Sequence, residues 1–217
     1  MPLFFSLEEK HFQLAVWKMD EELDELLHET SLSSVDLARA NSFTHTARKK
    51  EWICIRLLLK KLNWNFSIGY LESGKPFLEN STAHISISHT KDFAGIIISE
   101  NAAVGLDLER IHPRIEKIAH KFVSDEEDKM LSGENHLQKL FVIWGVKEVL
   151  FKMHSIGELL FKEHLAVMPF EFCLPGMAKA RISKETFQKK FSLKYTMKDD
   201  LLITWCVDSS TAPTPAP

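Results

Sequence analysis

The sequence predicts an α+β fold of two similar halves, related by a pseudo-twofold, each a small antiparallel sheet packed with a long helix. A strand, then helical segments, then several short strands occur in this order twice along the chain. The division falls near residue 102 of 217, and hydrophobic residues make up 45%, enough for buried cores. We therefore expect halves at 1–102 and 103–208, followed by a disordered tail at 209–217.

In the first half, helices are predicted between strands. An acidic helix is expected at 20–29, and apolar residues at helical spacing continue from about 33 to 63. The dipeptide Gly74-Lys75, followed by Pro76, marks a turn between two later strands. The strands are predicted at 12–18, 66–71, 84–88 and 93–99.

The second half starts on a strand at 103–109 and contains the longest predicted helix. Ser124 and Glu127 fit a capping box, in which each side chain bonds the other residue's free backbone N–H. The long helix is predicted over 136–155. Further strands are predicted at 168–173, 177–183, 190–196 and 200–208. The last nine residues, S-S-T-A-P-T-P-A-P, cannot pack a core.

Charge and cysteine content exclude several classes of protein. A net charge of −3 argues against a nucleic-acid coat and against a polybasic membrane anchor. No apolar stretch approaches the roughly 20 residues that span a bilayer, and the N-terminus lacks a basic signal region. Cys54, Cys173 and Cys206 form no C-x-x-C pair, which excludes a zinc ribbon and indicates buried thiols in a reducing compartment. We expect a soluble, cytoplasmic protein.

Two acidic residues in V-G-L-D-L-E (104–109) are candidates for binding a cation. On a strand, Asp107 and Glu109 point to the same face, where they repel each other unless a cation neutralises them. Hard oxygen ligands without clustered Cys or His favour magnesium or manganese over zinc. Taken alone, the pair also fits ordinary surface acids on a half-exposed edge strand.

A second candidate is the helical segment W-G-V-K-E-V-L-F-K (144–152). Trp144, Glu148 and Lys152 lie on one helix face at i, i+4 and i+8. Glu148 and Lys152 alone are typical of a surface ion pair. The tryptophan on the same face indicates that this face packs against another element.

Four residues in the first half are candidates for binding an anion. Ser88 and His89 fall at the end of a predicted strand, where binding residues are common. Lys75 lies in a rigid turn, and Arg48 lies near a predicted helix start, where free N–H groups also favour anions. Each of the four also fits a solvated or purely structural residue.

The order and spacing of these motifs resemble the phosphopantetheinyl transferases. The similarity extends from about residue 44 to 165 and is greater to the longer, two-half, monomeric (Sfp-like) branch of that superfamily. The matching motifs are Gly74-Lys75-Pro76, Ser88-His89, Gly105 to Glu109, Phe122 to Glu127 and Trp144 to Lys152. Five motifs in register make chance agreement remote.

The resemblance implies a transfer of 4'-phosphopantetheine from coenzyme A to a serine of an apo acyl or peptidyl carrier protein. It implies release of adenosine 3',5'-bisphosphate and a monomer with its active site between the halves. By the same resemblance, Asp107, Glu109 and Glu148 would hold magnesium (manganese is an alternative). Glu148, or a water held by the carboxylates, would take the serine proton, and Lys152 would steady or protonate the leaving phosphate.

For the coenzyme, the resemblance implies that Lys75, Ser88, His89 and Arg48 bind the ribose phosphate and neighbouring phosphates. Relatives often have asparagine at the position of Ser86, a small residue at Val149, and two close glycines where this chain has Gly157 and Glu158. These departures bear on carrier preference and on the loop after the long helix. Glu127 fits both the capping box and the glutamate of the family.

Two other functions remain open at this point. The same carboxylates and basic residues would serve a magnesium-dependent phosphohydrolase that cleaves a nucleotide pyrophosphate, with water in place of serine. A non-catalytic module that binds coenzyme A or a carrier protein is the other alternative. The module requires a missing ligand, yet each acidic position expected of the site is filled.

Overall fold

The computed structural model describes residues 3–30, 32–154 and 159–210. The chain divides into two compact units, with the boundary between Ala102 and Ala103. Both units combine antiparallel sheets with helices, which confirms the predicted α+β class. The pseudo-twofold relation stays a prediction. Gly157-Glu158 and the tail beyond Ser210 lie outside the described residues.

The sheet of the first unit has four antiparallel strands in the order β1-β2-β6-β5. They are β1 (Leu3–Glu9), β2 (Phe12–Lys18), β5 (His84–Thr90) and β6 (Phe93–Ser99). A separate hairpin of β3 (Ile68–Tyr70) and β4 (Pro76–Leu78) encloses the predicted turn at Gly74-Lys75. The prediction missed β1, which is an exposed edge strand, and β4, which has only three residues.

Three helices belong to the first unit: α1 (Leu23–Thr30), α2 (Ser34–Asn41) and α3 (Thr46–Lys61). The prediction of one helical stretch over 33–63 is wrong, because non-helical residues 42–45 separate α2 from α3. Ser42 ends α2, where its hydroxyl donates to the carbonyl of Arg39 (2.7 Å), and His45 is extended before α3. The apolar face of α3 forms the core with β2, β5 and β6.

The sheet of the second unit has five antiparallel strands in the order β7-β11-β10-β9-β8. They are β7 (Ala103–Arg110), β8 (Leu165–Val167), β9 (Gly176–Lys184), β10 (Phe187–Lys198) and β11 (Leu201–Asp208). The strand predicted at 168–173 is wrong. The strand ends at Val167, before Pro169, which has no N–H to donate to a sheet.

The helices of the second unit are α4 (Asp125–Asp128), α5 (His136–Met153) and α6 (Phe161–His164), with 3₁₀ turns at Pro113–Lys121 and Lys129–Leu131. The long helix α5 was predicted over 136–155; its first residue agrees with the structure, and its last helical residue, Met153, comes two residues earlier. It packs on β7 and β11, and its apolar residues form the core with β8–β11. This packing brings the W-G-V-K-E segment against the strand that carries Asp107 and Glu109.

The cysteines agree with the prediction in part. All three are free; Cys54 and Cys206 are buried, but Cys173 is exposed in the segment between β8 and β9, so the expected buried thiol there is wrong. Burial raises the pKa of Cys54 and Cys206 to about 12, which keeps both thiols protonated. Within the described ranges, no helix has both the length and the apolar content to cross a membrane.

Candidate active site

Asp107 and Glu109 lie on the same face of β7, the face covered by α5. The intervening Leu106 and Leu108 are buried on the other face, as the alternation of a strand requires. In the ladder with β11, Asp107 is opposite Thr204. Asp107 is only 4% exposed, whereas Glu109 is half-buried. The strand therefore carries one buried carboxylate and one that reaches solvent.

Two glycines allow α5 to approach the sheet closely. A Cβ atom on Gly145 would lie 2.7 Å from Thr204 Oγ1, and one on Gly105 would lie 2.7 Å from Met153 Cγ. Both distances are shorter than the approach of any real Cβ atom to a neighbouring heavy atom. Glycine at both positions thus lets the backbone of α5 lie directly over β7 and β11.

The side chains on the predicted face of α5 contact the carboxylates of β7. The ammonium of Lys152 lies 2.8 Å from Asp107 Oδ1 and donates to the carbonyl of Leu106 (2.9 Å). The indole N–H of Trp144 donates to Glu109 Oε1 (2.9 Å). Glu148 lies between these two residues on the helix. The structure therefore brings together Asp107, Glu109, Glu148 and Lys152.

Burial and the nearby Asp107 carboxylate shift the pKa values of Glu109 and Glu148. Burial is the main cause that raises the pKa of Glu109 and of Glu148 to about 7, and the charge of Asp107 raises both further. Lys152 acts in the opposite direction on both, and the Trp144 hydrogen bond lowers the pKa of Glu109. Both carboxyl groups therefore keep their protons to a higher pH than an exposed glutamate does.

The donor set has the chemistry that a hard divalent cation requires. The three carboxylates are partly withdrawn from water and repel one another, and a cation would relieve this repulsion. As the side chains stand, no group of three or more His, Cys, Asp or Glu residues in the described parts of the chain forms a metal site. In this arrangement the Lys152 ammonium supplies the positive charge at Asp107.

Next to Glu148, Lys147 points the other way and forms a buried ion pair with Glu127. Both side chains are almost fully buried, and Lys147 Nζ lies 2.8 Å from Glu127 Oε2. Lys147 also donates to the carbonyls of Phe122 (2.5 Å) and Phe161 (3.0 Å). Glu127 forms the predicted capping box with Ser124 as well, so its capping role is confirmed and accompanied by a second one.

In the first unit, the structure brings together two of the four candidate anion-binding residues. Arg48 Nη1 lies 2.6 Å from His89 Nε2, and Glu51 contacts both side chains. Ser88 is buried and, by strand alternation, points to the opposite face of β5 from His89. Ser88 therefore does not belong to the Arg48–His89 cluster.

Lys75 lies beside His84, at the other end of β5 from His89. Burial lowers the pKa of Lys75; burial, followed by the charge of Lys75, lowers the pKa of His84. A lysine whose positive charge is partly desolvated gains from a bound anion. His84 was not a candidate from the sequence, because a histidine at a strand start carries no spacing signal.

Beside Arg48 and His89 lies a cavity of about 160 Å³ with an aromatic wall. Trp52 and Tyr70 stack with their ring centroids 5.9 Å apart, and the Arg56 guanidinium lies 3.2 Å from the centroid of the Trp52 ring. Arg56 is 8% exposed, and within the described chain its Nη1 and Nη2 have no hydrogen-bond partner. This combination suits a flat, anionic ligand such as a phosphorylated nucleoside.

Comparisons with known proteins agree with the motifs. The family model described as the 4'-phosphopantetheinyl transferase superfamily matches residues 103–206. The chain is 34% identical over 90 residues to 4'-phosphopantetheinyl transferase gsp of Aneurinibacillus migulanus, covering 40% of this chain and 36% of that protein. It is 30% identical over 115 residues to 4'-phosphopantetheinyl transferase AcpT of Salmonella typhimurium, covering 50% and 60%.

The chain thus spans about a third and three fifths of the lengths of these two curated relatives. The matched segment contains β7 and α5, which carry the four residues of the candidate site: Asp107, Glu109, Glu148 and Lys152. The resemblance predicted from the motifs is confirmed over the second unit, whose residues 103–206 match the 4'-phosphopantetheinyl transferase superfamily.

Proposed function

We propose that the protein is a magnesium-dependent transferase. It moves the 4'-phosphopantetheine arm of coenzyme A to a serine of an apo acyl or peptidyl carrier protein and releases adenosine 3',5'-bisphosphate. The observation that carries the proposal is the convergence of Asp107, Glu109, Glu148 and Lys152 between β7 and α5, inside the segment matched by the superfamily. We also propose that it acts as a monomer of the longer, two-half branch, in the cytoplasm.

Asp107, Glu109 and Glu148 would hold the magnesium, and manganese fits the same oxygen ligands. When bound, the divalent ion would neutralise charge on the pyrophosphate of coenzyme A and on the phosphate that leaves. Lys152, whose ammonium pairs with Asp107, would then be available to the leaving phosphate. Its half-buried side chain extends from α5 to the same carboxylate.

Glu148 would accept the proton of the attacking serine hydroxyl. Burial and the neighbouring carboxylates raise the pKa of Glu148 to about 7, which makes this carboxylate more basic than an exposed glutamate. The serine oxygen forms a bond to the phosphorus that carries pantetheine, and the bond from that phosphorus to the bridging oxygen breaks. Adenosine 3',5'-bisphosphate leaves with this oxygen, to which Lys152 donates a hydrogen bond.

Arg48, Lys75, Ser88 and His89 would bind the ribose phosphate and the neighbouring phosphates. The cavity beside Arg48 and His89 supports the assignment of these two residues. Arg48 pairs with Glu51 and Arg56 pairs with Asp36, but Nη1 and Nη2 of Arg56 have no hydrogen-bond partner among the described residues. The exposed ring of Tyr70, stacked on Trp52, offers a flat apolar surface for a base. The buried position of Ser88 on the opposite face of β5 separates its role from that of His89.

Intact mass spectrometry of an apo carrier protein tests the proposal. After incubation with this protein, coenzyme A and magnesium, the carrier should gain the mass of one phosphopantetheine, and adenosine 3',5'-bisphosphate should appear in equal amount. A carrier whose acceptor serine is alanine is the control and should gain nothing. Bisphosphate released equally with and without carrier would establish the phosphohydrolase instead, and no change in either molecule would leave a binding module.

Lys75→Ala should weaken coenzyme binding more than it slows the reaction of the bound complex. A contact to a phosphate remote from the reacting bond contributes similarly to ground and transition states, so KM rises by roughly tenfold or more while kcat changes less. His89→Ala should behave in the same way. Steady-state kinetics with varied coenzyme A measure both constants. Lys91→Ala, which removes an exposed lysine of the same unit, is the matched control. An unchanged KM with kcat abolished would contradict the assignment.

Magnesium should stabilise the protein more at alkaline than at acid pH. The pKa of Glu109 and Glu148 in the folded protein is about 7, above the value of about 4.3 for an unfolded glutamate. The folded state therefore binds more protons between these values, and the stability of the metal-free protein falls as pH rises through this window. Magnesium compensates for the ionised carboxylates, so it should raise the melting temperature much more at about pH 8 than at about pH 5.5. Equal shifts at both pH values would contradict the assigned ligands.

A further inference from the structure

We propose that Thr204 is a positioning residue of the cation site: its hydroxyl donates a hydrogen bond to the Asp107 carboxylate and fixes the orientation in which this carboxylate receives the cation. The inference rests on the proposed function, because it takes Asp107 as a magnesium ligand. Thr204 lies on β11, outside each of the motifs that carry the resemblance to the superfamily.

The location of Thr204 follows from the sheet and from one glycine. Thr204 is directly opposite Asp107 in the ladder of β7 and β11, so both side chains are on the face covered by α5. From the position of a Cβ on Gly145, Thr204 Oγ1 lies 2.7 Å away and Asp107 Oδ2 lies 3.6 Å away. The hydroxyl and the carboxylate oxygen therefore converge on the same small space beneath Gly145.

The hydroxyl of Thr204 is unfavourable for folding because it is buried without a hydrogen bond to any described residue. The residue is 1% exposed, and none of the described residues accepts from or donates to its Oγ1. A buried hydroxyl without a hydrogen bond destabilises the folded state, because its lost contacts with water are not replaced. Valine has the same shape and a high β propensity, and the surrounding residues of β11, L-L-I before it and W-C-V after it, are apolar. Packing alone gives no reason for threonine.

Asp107 supplies the reason. Its Oδ1 bonds the Lys152 ammonium, while its Oδ2 faces Gly145 and Thr204. The two oxygens are not hydrogen-bonded to each other in the structure, and a shift of the Thr204 side chain towards Oδ2 would form the proposed bond. Carboxylates that bind metals are themselves usually held by such hydrogen bonds, and removing the donor typically costs about 10–100-fold in metal affinity or activity.

Three variants separate a positioning role from a structural one. Thr204→Val removes the hydroxyl and keeps the shape, and Thr204→Ser keeps the hydroxyl. Thr196→Val makes the same chemical change on β10 of the same sheet and is the matched control. Isothermal titration with magnesium chloride alone, without coenzyme or carrier, measures affinity independently of activity. Thermal unfolding of the metal-free proteins shows that each variant is folded.

Thr204→Val should weaken magnesium binding about tenfold or more, whereas Thr204→Ser should stay within about threefold of the wild type. Thr196→Val should bind as the wild type does, and metal-free Thr204→Val should melt no lower than the wild type. Equal magnesium affinity in Thr204→Val and the wild type would overturn the role of Thr204, as would weak binding by Thr204→Ser in a folded protein. If Thr204→Val does not fold, Thr204→Ser against Thr204→Ala decides in the same way. A wild type that binds no magnesium and forms no product overturns the proposed function, and this inference with it.

Discussion

Glu148→Gln should abolish most of the turnover and leave coenzyme binding almost intact. Glutamine keeps the size and most of the hydrogen-bonding capacity of Glu148 but removes its charge and basicity. Asp107 and Glu109 still present two carboxylates to a cation, and Arg48 and His89 are untouched. We therefore expect coenzyme A to bind within about tenfold of the wild type, while turnover falls by about 10²-fold or more, as for the loss of a general base.

The measurement needs two assays and one control. Isothermal titration gives the affinity for coenzyme A, and intact mass of the carrier gives turnover, repeated at saturating magnesium so that a weaker metal site is not mistaken for a lost base. Glu134→Gln makes the same change at an exposed residue before α5 and should leave both unchanged. Near-normal turnover of Glu148→Gln would contradict the role of Glu148 as the general base.

Lys147→Met should destabilise the second unit more than any surface change. It leaves the Glu127 carboxylate buried without its ammonium, and removing one partner of a buried pair costs about 3–5 kcal/mol. The loss also frees the carbonyls of Phe122 and Phe161, which Lys147 joins to α5. Urea unfolding followed by circular dichroism measures the free energy of unfolding.

The control is Lys129→Met, which removes the exposed ion pair with Glu126 near the same short helix α4 and should cost under about 1 kcal/mol. The double variant Lys147→Met with Glu127→Leu removes both charges and should recover part of the stability lost by Lys147→Met. A Lys147→Met protein as stable as Lys129→Met would show that the pair has no role in holding α5.

Period-two and helical patterns predicted the elements that carry the site. The alternation in V-G-L-D-L-E placed Asp107 and Glu109 on one face, and the spacing of Trp144, Glu148 and Lys152 placed them on one side of a helix. Both patterns are local, and local geometry alone decides which side chains share a face. Which face of α5 packs against the sheet depends on tertiary contacts. Only Trp144 indicated this face from the sequence, because a tryptophan is seldom left exposed.

Residues that act through long-range contacts had no such pattern. Lys147 stands between Val146 and Glu148 in a segment typical of a surface helix, and its burial depends on Glu127, twenty positions earlier. Thr204 is one hydroxyl in an apolar strand, and its neighbour Asp107 belongs to another strand. Arg56 stands between Ile55 and Leu57 on α3, and its guanidinium pairs with Asp36, twenty positions earlier (3.2 Å). Each of these ion-pair or ladder partners is distant along the chain, so spacing carries no information about it.

Because α5 has no space for a side chain at position 145, substitutions at positions 145 and 204 depend on each other. A methyl group at position 145 collides with the hydroxyl at position 204, so the order of substitutions matters. Alanine becomes acceptable at position 145 only after Thr204 has been replaced by a smaller residue, whereas the reverse order passes through a protein with α5 displaced from β11. Positions 145 and 204 should therefore covary among homologues, and a lineage that has lost Gly145 should also have lost the threonine.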